Sequence, residues 1–285
     1  MKRSILSCAV LGALVFSGQA FANNARDYIP LDPGSFFLGL YYNHTGADDY
    51  YLDGDKVNSS MDYTGNVSIL RPVYYTNIGS ITLDPQLILP VGEASLANDQ
   101  SSGIGDAIVA ATIWFVNNKE SKFLFAYTPF ITMPTGDYDE QSSVNLGANR
   151  WAHKHEFCVV KGFGDSTWLE LSAYAQFFTD NDDVLSADNV KVELSQEMVY
   201  GAEAHLSHNF TPEFFSSLDY IYTGGGETSI NDIDQDNELS THNLGVTFAY
   251  MLTPNVQVMT NFNTDVSVDT GLKTTTFMGR LGFIF

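Results

Sequence analysis

Residues 273–285 at the end of the chain read KTTTFMGRLGFIF, and the character of the side chains alternates with a period of two. Such a period is typical of a β-strand. One face of this stretch carries Arg280, and the other carries Phe277, Leu281, Phe283 and Phe285. A barrel in lipid must close on its last strand, because lipid cannot satisfy the backbone groups of an unpaired edge. The stretch therefore predicts the closing strand of a transmembrane β-barrel, with its apolar face towards lipid.

The first 22 residues have the composition of an export signal. They contain a positive start, an apolar run and small residues before a cleavage point, at Lys2, Arg3, residues 5–16 and residues 20–22. Such a leader is removed after the small residues. We therefore expect a mature chain that starts at Asn23, with a periplasmic tail at 23–34 and the barrel at 35–285. The sequence leaves open whether residues 23–34 form a plug instead.

The predicted mature chain is strongly acidic. Without Lys2 and Arg3 it has 11 Lys and Arg against 34 Asp and Glu, a net charge of −23. A field of this sign repels nucleic acid, so we expect no nucleic-acid partner. Cys158 is its single cysteine, which excludes an intramolecular disulfide. The longest apolar run, 107–116, is shorter than the roughly 18 residues of a membrane helix, so insertion must rely on strands.

Two kinds of connection take turns along the chain. Six long polar loops alternate with five short turns rich in Gly, Pro, Asn and Asp. The predicted strands span residues 35–44, 62–75, 80–90, 106–116, 122–132, 151–161, 167–178, 191–209, 214–223, 240–251, 256–264 and 273–285. Twelve antiparallel strands with short turns on one side and long loops on the other are typical of a bacterial outer-membrane barrel. The long loops would be extracellular, and both termini periplasmic.

Several predicted strands have one apolar and one charged face. In the strand at 191–209, for example, Glu203 and His205 alternate with Ala204 and Leu206. A charge facing lipid at the midplane costs about 2–4 kcal/mol, so the charged face should point into the lumen. The candidate lumen-lining residues are Asp106, Glu193, Glu197, Glu203, His205, Asp219 and Arg280. They could line an open path that favours cations or neutral solutes, or form a salt-bridged plug.

Two features refine this scheme. Arg71 is in phase with the apolar Val67, Ile69 and Val73, so we expect a β-bulge near Pro72 that exchanges the two faces. Aromatic residues near the predicted turns should form a girdle at the membrane interface. These are Trp114, Phe123, Trp168, Phe210, Phe214 and Tyr250.

The long loops hold most of the acidic residues. They could bind Ca²⁺ or Mg²⁺ weakly and bridge to lipopolysaccharide phosphates, because clustered carboxylates suit hard cations. They could equally form a solvated acidic surface. No loop has the residue spacing of a defined calcium site, and we expect no tightly bound cofactor.

Signs of catalysis are weak. Ser240 and His242 share the outward face of one predicted strand, but no Gly-x-Ser-x-Gly motif accompanies them. His153 and His155 lie two residues apart, which is weak evidence for a metal site. We expect no enzymatic activity, with a barrel hydrolase as the remote alternative.

Three short motifs occur in order: SGIGD at 102–106, PTGDY at 134–138 and NLGANRW at 145–151. With their spacing, residues from about 35 to 285 resemble the family named for the MetA pathway of phenol degradation. The motif residues are Gly103, Gly105, Asp106, Pro134, Thr135, Gly136, Asp137, Asn145 and Gly147. Their glycines should allow positive φ at turns, and the two aspartates should accept hydrogen bonds from nearby amides.

The resemblance implies an outer-membrane transporter associated with aromatic-compound catabolism, and it supplies no catalytic residues. Our leading hypothesis is a passive channel for small hydrophobic or aromatic molecules, through the lumen or a lateral gap. The alternative is a structural or adhesive barrel with cation-binding loops. The expected partners are outer-membrane lipid, lipopolysaccharide, the barrel-assembly machinery that recognises the last strand, and a small solute.

Overall fold

The computed structural model describes residues 23–186 and 188–285, so the predicted leader lies outside the described residues. Twelve antiparallel strands form a closed barrel, which confirms the predicted fold and strand count. The wall strands are β1 Phe36–Ala47, β2 Tyr63–Tyr74, β3 Ile81–Leu96, β4 Ile108–Asn118, β5 Phe123–Thr132, β6 Ala152–Phe163, β7 Thr167–Phe178, β8 Val199–Asn209, β9 Phe214–Gly225, β10 Leu239–Thr253, β11 Val256–Val268 and β12 Thr275–Ile284. In the part of the chain described, no helix is long and apolar enough to cross a membrane.

The terminal strand closes the barrel. β12 pairs with β1 from Phe37↔Ile284 to Gly46↔Thr275 and with β11 on its other side. Beyond the ladder, Phe36 and Phe285 exchange backbone hydrogen bonds of 3.0 and 2.9 Å. The other strands pair with their neighbours in sequence. Every strand of the wall therefore has two partners, as a lipid environment requires.

The side chains of β12 follow the predicted alternation. Phe277, Leu281 and Phe285 are exposed on the outside of the wall, whereas Met278 and Arg280 are buried inside. Five short turns and six longer loops connect the strands, in strict alternation. The barrel therefore has the predicted two ends, one with short connections and one with long loops.

The long loops contain short strands of their own. Residues Tyr50–Leu52, Asp55–Asn58 and Gly271–Leu272 form a three-stranded sheet. Residues Asn181–Leu185, Lys191–Gln196, Thr228–Ile230 and Ile233–Asp234 form a four-stranded sheet. Residues Asp99–Ile104 extend the wall by pairing with the upper half of β3. The extracellular end is therefore built of two separate small sheets and one extension of the wall.

The single strand predicted at 191–209 was wrong. Residues Lys191–Gln196 belong to the four-stranded loop sheet, and the wall strand β8 starts at Val199. The loop strand also alternates with a period of two, because Val192 and Leu194 pack in a small core with Val184. The sequence pattern therefore runs through two separate elements.

The bulge expected near Pro72 was also wrong. The register between β2 and β1 runs without a shift from Phe36↔Tyr74 to Ala47↔Tyr63. Val67, Ile69 and Val73 are buried on the inside, in phase with Arg71, and Leu70 and Tyr74 are exposed outside. The apolar face of β2 is therefore the inner face.

The predicted aromatic girdle is only partly present. Phe123, Phe210 and Tyr250 are exposed, as an interface position requires. Trp114, in contrast, is 1% exposed and points into the barrel, where Trp168 packs against the same interior cluster. Both tryptophans pack against Tyr28 and its neighbours, which lie inside the barrel.

Candidate functional site

Residues 23–31, which we call the plug segment, lie inside the barrel near its short-turn end. This placement corrects the prediction of a periplasmic tail and agrees with the plug that the sequence left open. Tyr28 is 4% exposed and belongs to an interior cluster with Val73, Leu124 and Trp114. The indole Nε1 of Trp114 donates a 3.0 Å hydrogen bond to the Tyr28 carbonyl oxygen. The apolar inner faces of β2 and β4 are thus buried against the plug segment.

Two arginines hold Asp27. They lie on β2 and β12, which pair with β1 on its two sides where the chain closes the barrel, a place we call the seam. Arg71 of β2 donates to Asp27 Oδ2 at 2.9 Å, and Arg280 of β12 donates to Oδ1 at 3.1 Å. Gln86 and Gln257 accept further hydrogen bonds from these guanidinium groups, at 2.8 and 2.6 Å. Burial of three charges is favourable only when they pair and their remaining donors are satisfied. Each of the two glutamines satisfies one further nitrogen of a guanidinium group.

Acidic side chains lie on the opposite side of the lumen. Glu156 of β6, Glu170 of β7 and Glu203 of β8 are each 3% exposed or less. Glu156 Oε2 accepts a 3.0 Å hydrogen bond from Lys154, and Glu156 Oε1 accepts one from the Tyr28 hydroxyl. The backbone nitrogen of Arg26 donates to Glu170 Oε1 at 2.6 Å. The plug segment therefore contacts both sides of the barrel.

His205 links two of the predicted lumen acids. Its Nδ1 lies 2.8 Å from Asp219 Oδ1, and its Nε2 lies 3.4 Å from Glu203 Oε2. Asp219 also accepts hydrogen bonds from the hydroxyls of Ser217 and Thr247, at 2.7 and 2.6 Å. These contacts join β8, β9 and β10 into one polar network inside the wall.

Most charges of the lumen are divided between two sides. The arginines lie on β2 and β12, which flank β1, and four acids lie on β6 to β9 on the far side of the closed ring, whereas the buried Asp84 and Asp265 lie on β3 and β11. The plug segment matches this arrangement: Asp27 faces the arginines, and Arg26 faces the acidic side, where its Nε donates to Ser207 at 3.0 Å. The charge pattern of the segment thus orients it in the lumen.

A cavity of about 80 Å³ lies next to the end of the plug segment at Asn23 and Asn24. Its wall combines apolar, polar and ionisable groups, the last being Arg71, His205 and Asp219, from the middle and extracellular parts of several strands. The lining includes Asn43, Ile69, Ile88, Phe130, Ile221, Asn261, Asn263 and Thr276. The amides and hydroxyl can bind polar atoms, while the isoleucines and Phe130 suit an apolar ring.

The structure places four of the predicted lumen residues around the plug segment: Glu203, His205, Asp219 and Arg280. Glu193 and Glu197 were assigned wrongly, because they are exposed near the loop sheet, outside the wall strands. Asp106 precedes β4 and lies at the rim. Sequence reasoning missed Asp27 and Glu156. In β6, the charged Lys154 and Glu156 alternate with His155 and Phe157, and this period of two could have identified Glu156 as an inward residue. Asp27 lies in no periodic stretch.

The three sequence motifs meet at the extracellular rim. Asp106 accepts hydrogen bonds of 2.8 Å from the backbone nitrogens of both Gly136 and Ala148. Asp137 Oδ2 accepts one of 2.8 Å from Ile104, and the hydroxyl of Thr135 accepts one of 3.0 Å from the Ala107 amide. Asn145 closes the third motif through hydrogen bonds with the backbone of Asp139. The motifs therefore form one rim joint.

The role of the motif glycines differs from the expectation. Of the four, only Gly103 has a positive φ, +145°. A Cβ atom on Gly136 would lie 2.7 Å from the backbone nitrogen of Asp106 and 2.8 Å from the Cα of Gly147. Close backbone packing, rather than a left-handed conformation, explains glycine at 136 and 147. Pro134 lies between Met133 and Thr135 at the start of the same joint.

The rim joint lies at the place where β3 changes its pairing partner. The pairing of β3 with β4 ends at Ile88↔Ile108, and above this point β3 pairs with the loop strand Asp99–Ile104. The chain then crosses from Ile104 to β4 through Asp106. The two carboxylates of the rim joint thus hold the loop 133–151 against the place where the pairing of β3 with β4 ends.

The remaining candidate side chains lie on the outside. His153 and His155 are exposed, and His155 Nδ1 lies 2.7 Å from the Tyr127 hydroxyl. His242 Nδ1 lies 2.7 Å from the Tyr220 hydroxyl. Among residues 23–186 and 188–285, no group of three or more His, Cys, Asp or Glu side chains has an arrangement suited to a metal ion.

Comparisons with known proteins agree with this fold. The crystal structure of the COG4313 outer membrane channel from Pseudomonas putida F1 matches with a TM-score of 0.88 and 29% identity, over 93% of this chain and 100% of that one. The NanC porin, 5% identical, and the translocator domain of autotransporter NalP from Neisseria meningitidis, 9% identical, both have a TM-score of 0.50. These two cover 86% and 90% of this chain and 98% and 89% of their own, and they share the fold alone. A comparison with curated protein sequences found no match.

A family model described as the MetA-pathway of phenol degradation matches residues 46–281. This range contains all three motifs and the ten wall strands β2 to β11 in full. It also contains parts of β1 and β12. The closed twelve-stranded barrel is similar to the Pseudomonas putida outer membrane channel over 93% of the chain, so the barrel resides in the bacterial outer membrane. The chain therefore belongs to the MetA-pathway of phenol degradation family of outer-membrane β-barrels.

Proposed function

We propose that this protein is a passive channel for small hydrophobic or aromatic compounds, and that the plug segment closes its lumen. The observation that carries the proposal is a plug segment hydrogen-bonded to buried side chains on both sides of a closed barrel. Support for a channel comes from the 29% identical Pseudomonas putida outer membrane channel. Support for aromatic solutes comes from the family description.

The contacts of the plug segment are suited to reversible release. Its anchors are mainly charged and hydrogen-bonded, at Asp27, Arg26 and Asn23. Burying an ion pair costs desolvation that offsets much of the Coulomb attraction, so the net stabilisation of the closed state is small. Water that enters the lumen can replace these partners. The closed and open states are therefore close enough in free energy to exchange.

The cavity indicates the chemistry of the solute. Asn43, Asn261 and Asn263 offer amide donors and acceptors, while Ile88 and Phe130 offer apolar surface. Ligand sites of small molecules combine apolar walls with a few fixed polar groups. A neutral ring compound with one or two hydroxyl groups matches both. The acidic loops disfavour anions at the entrance, which again favours neutral solutes.

Single-channel recording in a planar bilayer tests the channel function. We expect infrequent openings for the wild-type protein and a mostly open state for a variant that lacks residues 23–31 behind the same leader. Glu193→Gln serves as a control, since Glu193 is exposed on the loop sheet outside the barrel wall. A deletion variant that folds but stays silent would contradict the proposal.

Uptake into liposomes tests the solute class. We expect phenols to enter vesicles that contain the protein faster than empty vesicles, and sugars of similar mass to gain little. Equal uptake with and without the protein, for phenols, aromatic acids and sugars alike, would overturn the substrate assignment. A lumen open to sugars as well as phenols would indicate a general pore.

We propose no catalytic activity. Ser240 and His242 lie on the outer face of β10, and His242 Nδ1 is engaged by Tyr220. Unchanged channel conductance and solute uptake in Ser240→Ala would support this assignment. Recognition of the last strand by the assembly machinery and contact with lipopolysaccharide stay predictions. So does weak binding of Ca²⁺ or Mg²⁺ to the acidic loops, which a melting curve with and without EDTA checks.

A further inference from the structure

The acidic side of the lumen lacks positive charge. The lumen-facing ionisable residues of β6 to β9 are four acids and two bases: Glu156, Glu170, Glu203, Asp219, Lys154 and His205. Arg26 of the plug segment adds a third base, with its guanidinium 3.9 Å from the centre of the Phe215 ring. Acidic groups therefore still outnumber basic groups in this buried network, by four to three.

The end of the plug segment lies beside two of these acids. The backbone nitrogen of Asn23 is 3.1 Å from Glu203 Oε2. The Asn23 side chain extends the contact, since its Nδ2 donates to Glu156 Oε1 at 2.5 Å and lies 3.3 Å from Glu203 Oε2. Asn23 is also the residue that follows the predicted cleavage point. Cleavage there converts this backbone nitrogen from a neutral amide into an ammonium group.

We propose that Glu203, with Glu156, forms a binding site for the α-ammonium group of the chain's own new N-terminus, so that removal of the leader completes the charge balance that seats the plug segment. A buried carboxylate gains more from an ammonium than from a neutral amide donor. The plug segment is thereby secured only in processed protein. This goes beyond the proposed transport, because it concerns maturation and requires no solute.

Sequencing of the N-terminus of protein extracted from outer membranes is the first test. We expect the chain to begin at Asn23, and a different first residue would overturn the proposal. The second test is acetylation of the α-amino group of folded protein in detergent by an N-hydroxysuccinimide ester, quantified by mass spectrometry of the N-terminal peptide. We expect slow labelling in the folded wild type and rapid labelling after denaturation in hot SDS.

Glu203→Gln keeps the shape of the side chain and removes its charge. We expect it to raise the labelling rate of the α-amino group by about tenfold or more, because a buried charge pair is lost. Glu213→Gln, which alters an exposed glutamate in the turn between β8 and β9, should label like the wild type. Equal rates in wild type and Glu203→Gln would overturn the proposal.

A second variant leaves the wall untouched, in case Glu203→Gln fails to fold. Insertion of Gly-Ser between Ala22 and Asn23 moves the amino group roughly 7 Å along the chain, away from Glu203. We expect rapid labelling in this variant and no further increase when it is combined with Glu203→Gln, since both changes remove one pair. Slow labelling of the insertion variant would contradict the proposal. The readout does not depend on conductance, so it separates this site from channel function.

Discussion

Arg71 and Arg280 bind opposite oxygens of one carboxylate, that of Asp27, at 2.9 and 3.1 Å. The two arginines lie on β2 and β12, which are joined through β1 at the seam where the chain closes on itself. A single residue of the plug segment therefore connects the first and last parts of the barrel. Its removal leaves two buried cations facing each other across the seam.

The first prediction concerns this connection. Asp27→Asn should raise the open time of the channel in planar bilayers by roughly tenfold or more, because both arginines lose their counter-charge. Asp32→Asn, at the residue that follows the plug segment, is the matched control. Its partner is Lys119 at 2.6 Å, but both side chains are more than 70% exposed, so the pair contributes little. Equal open times in the two variants would refute a role for Asp27 in closure.

The second prediction uses the indole of Trp114. Trp114→Phe keeps most of the apolar contact with the plug segment but loses the hydrogen bond to the Tyr28 carbonyl oxygen. One neutral hydrogen bond stabilises by about 1 kcal/mol, so the ratio of open to closed time should rise roughly fivefold. Trp151→Phe makes the same change on the outer surface, where Trp151 is exposed, and should leave gating as it is.

The third prediction concerns Asp99 in the loop strand at the rim. Burial by itself raises the pKa of its carboxyl, but hydrogen bonds from the Ser143 hydroxyl and amide, the Ser142 hydroxyl and the Gln100 amide outweigh it. The pKa is therefore held below its ordinary value. A depressed pKa means that the carboxylate stabilises the fold above the unfolded pKa of about 4 and that this stabilisation is lost as the pH falls further.

Hydrogen exchange checks this pH dependence. After correction for intrinsic rates, the Ser143 amide should be protected at pH 6 and lose protection as the pH falls below about 4. Asp99→Asn should make protection independent of pH in this range. A wild-type loop that keeps the same protection at pH 3 would show that the Asp99 carboxylate does not hold it.

The fourth prediction tests the rim joint. Gly136→Ala places a Cβ within 2.8 Å of backbone atoms of Asp106 and Gly147, so the loop must shift. Overpacking of this kind typically costs about 1–3 kcal/mol and should lower the unfolding temperature seen by heat-dependent gel mobility. Gly279→Ala is the control, because a Cβ there meets no atom within 4 Å. Equal unfolding temperatures would exclude close packing as the reason for glycine at 136.

The wall of the barrel could be predicted from sequence because its pattern has a local cause. Lipid on one side and lumen on the other impose a period of two on each strand. The apolar side chains of Phe277 and Leu281 are therefore enough to identify the outer face of β12. The same rule misassigned Glu193. A strand in a loop sheet alternates for the same reason as a wall strand. Residues 197 and 198 separate the two strands, and apolar side chains stand at even positions on both sides of them.

The interior could not be predicted in this way. Residues 23–31 have no periodic pattern, and their partners are distant in sequence: Arg280 is 253 residues from Asp27, and Glu203 is 180 residues from Asn23. The sequence by itself determined the strands, their outward faces and the closure at Phe285, because these depend on neighbours along the chain. Only the tertiary structure decided that the lumen holds the plug segment, because charge pairing in the interior joins residues that closure of the ring brings together.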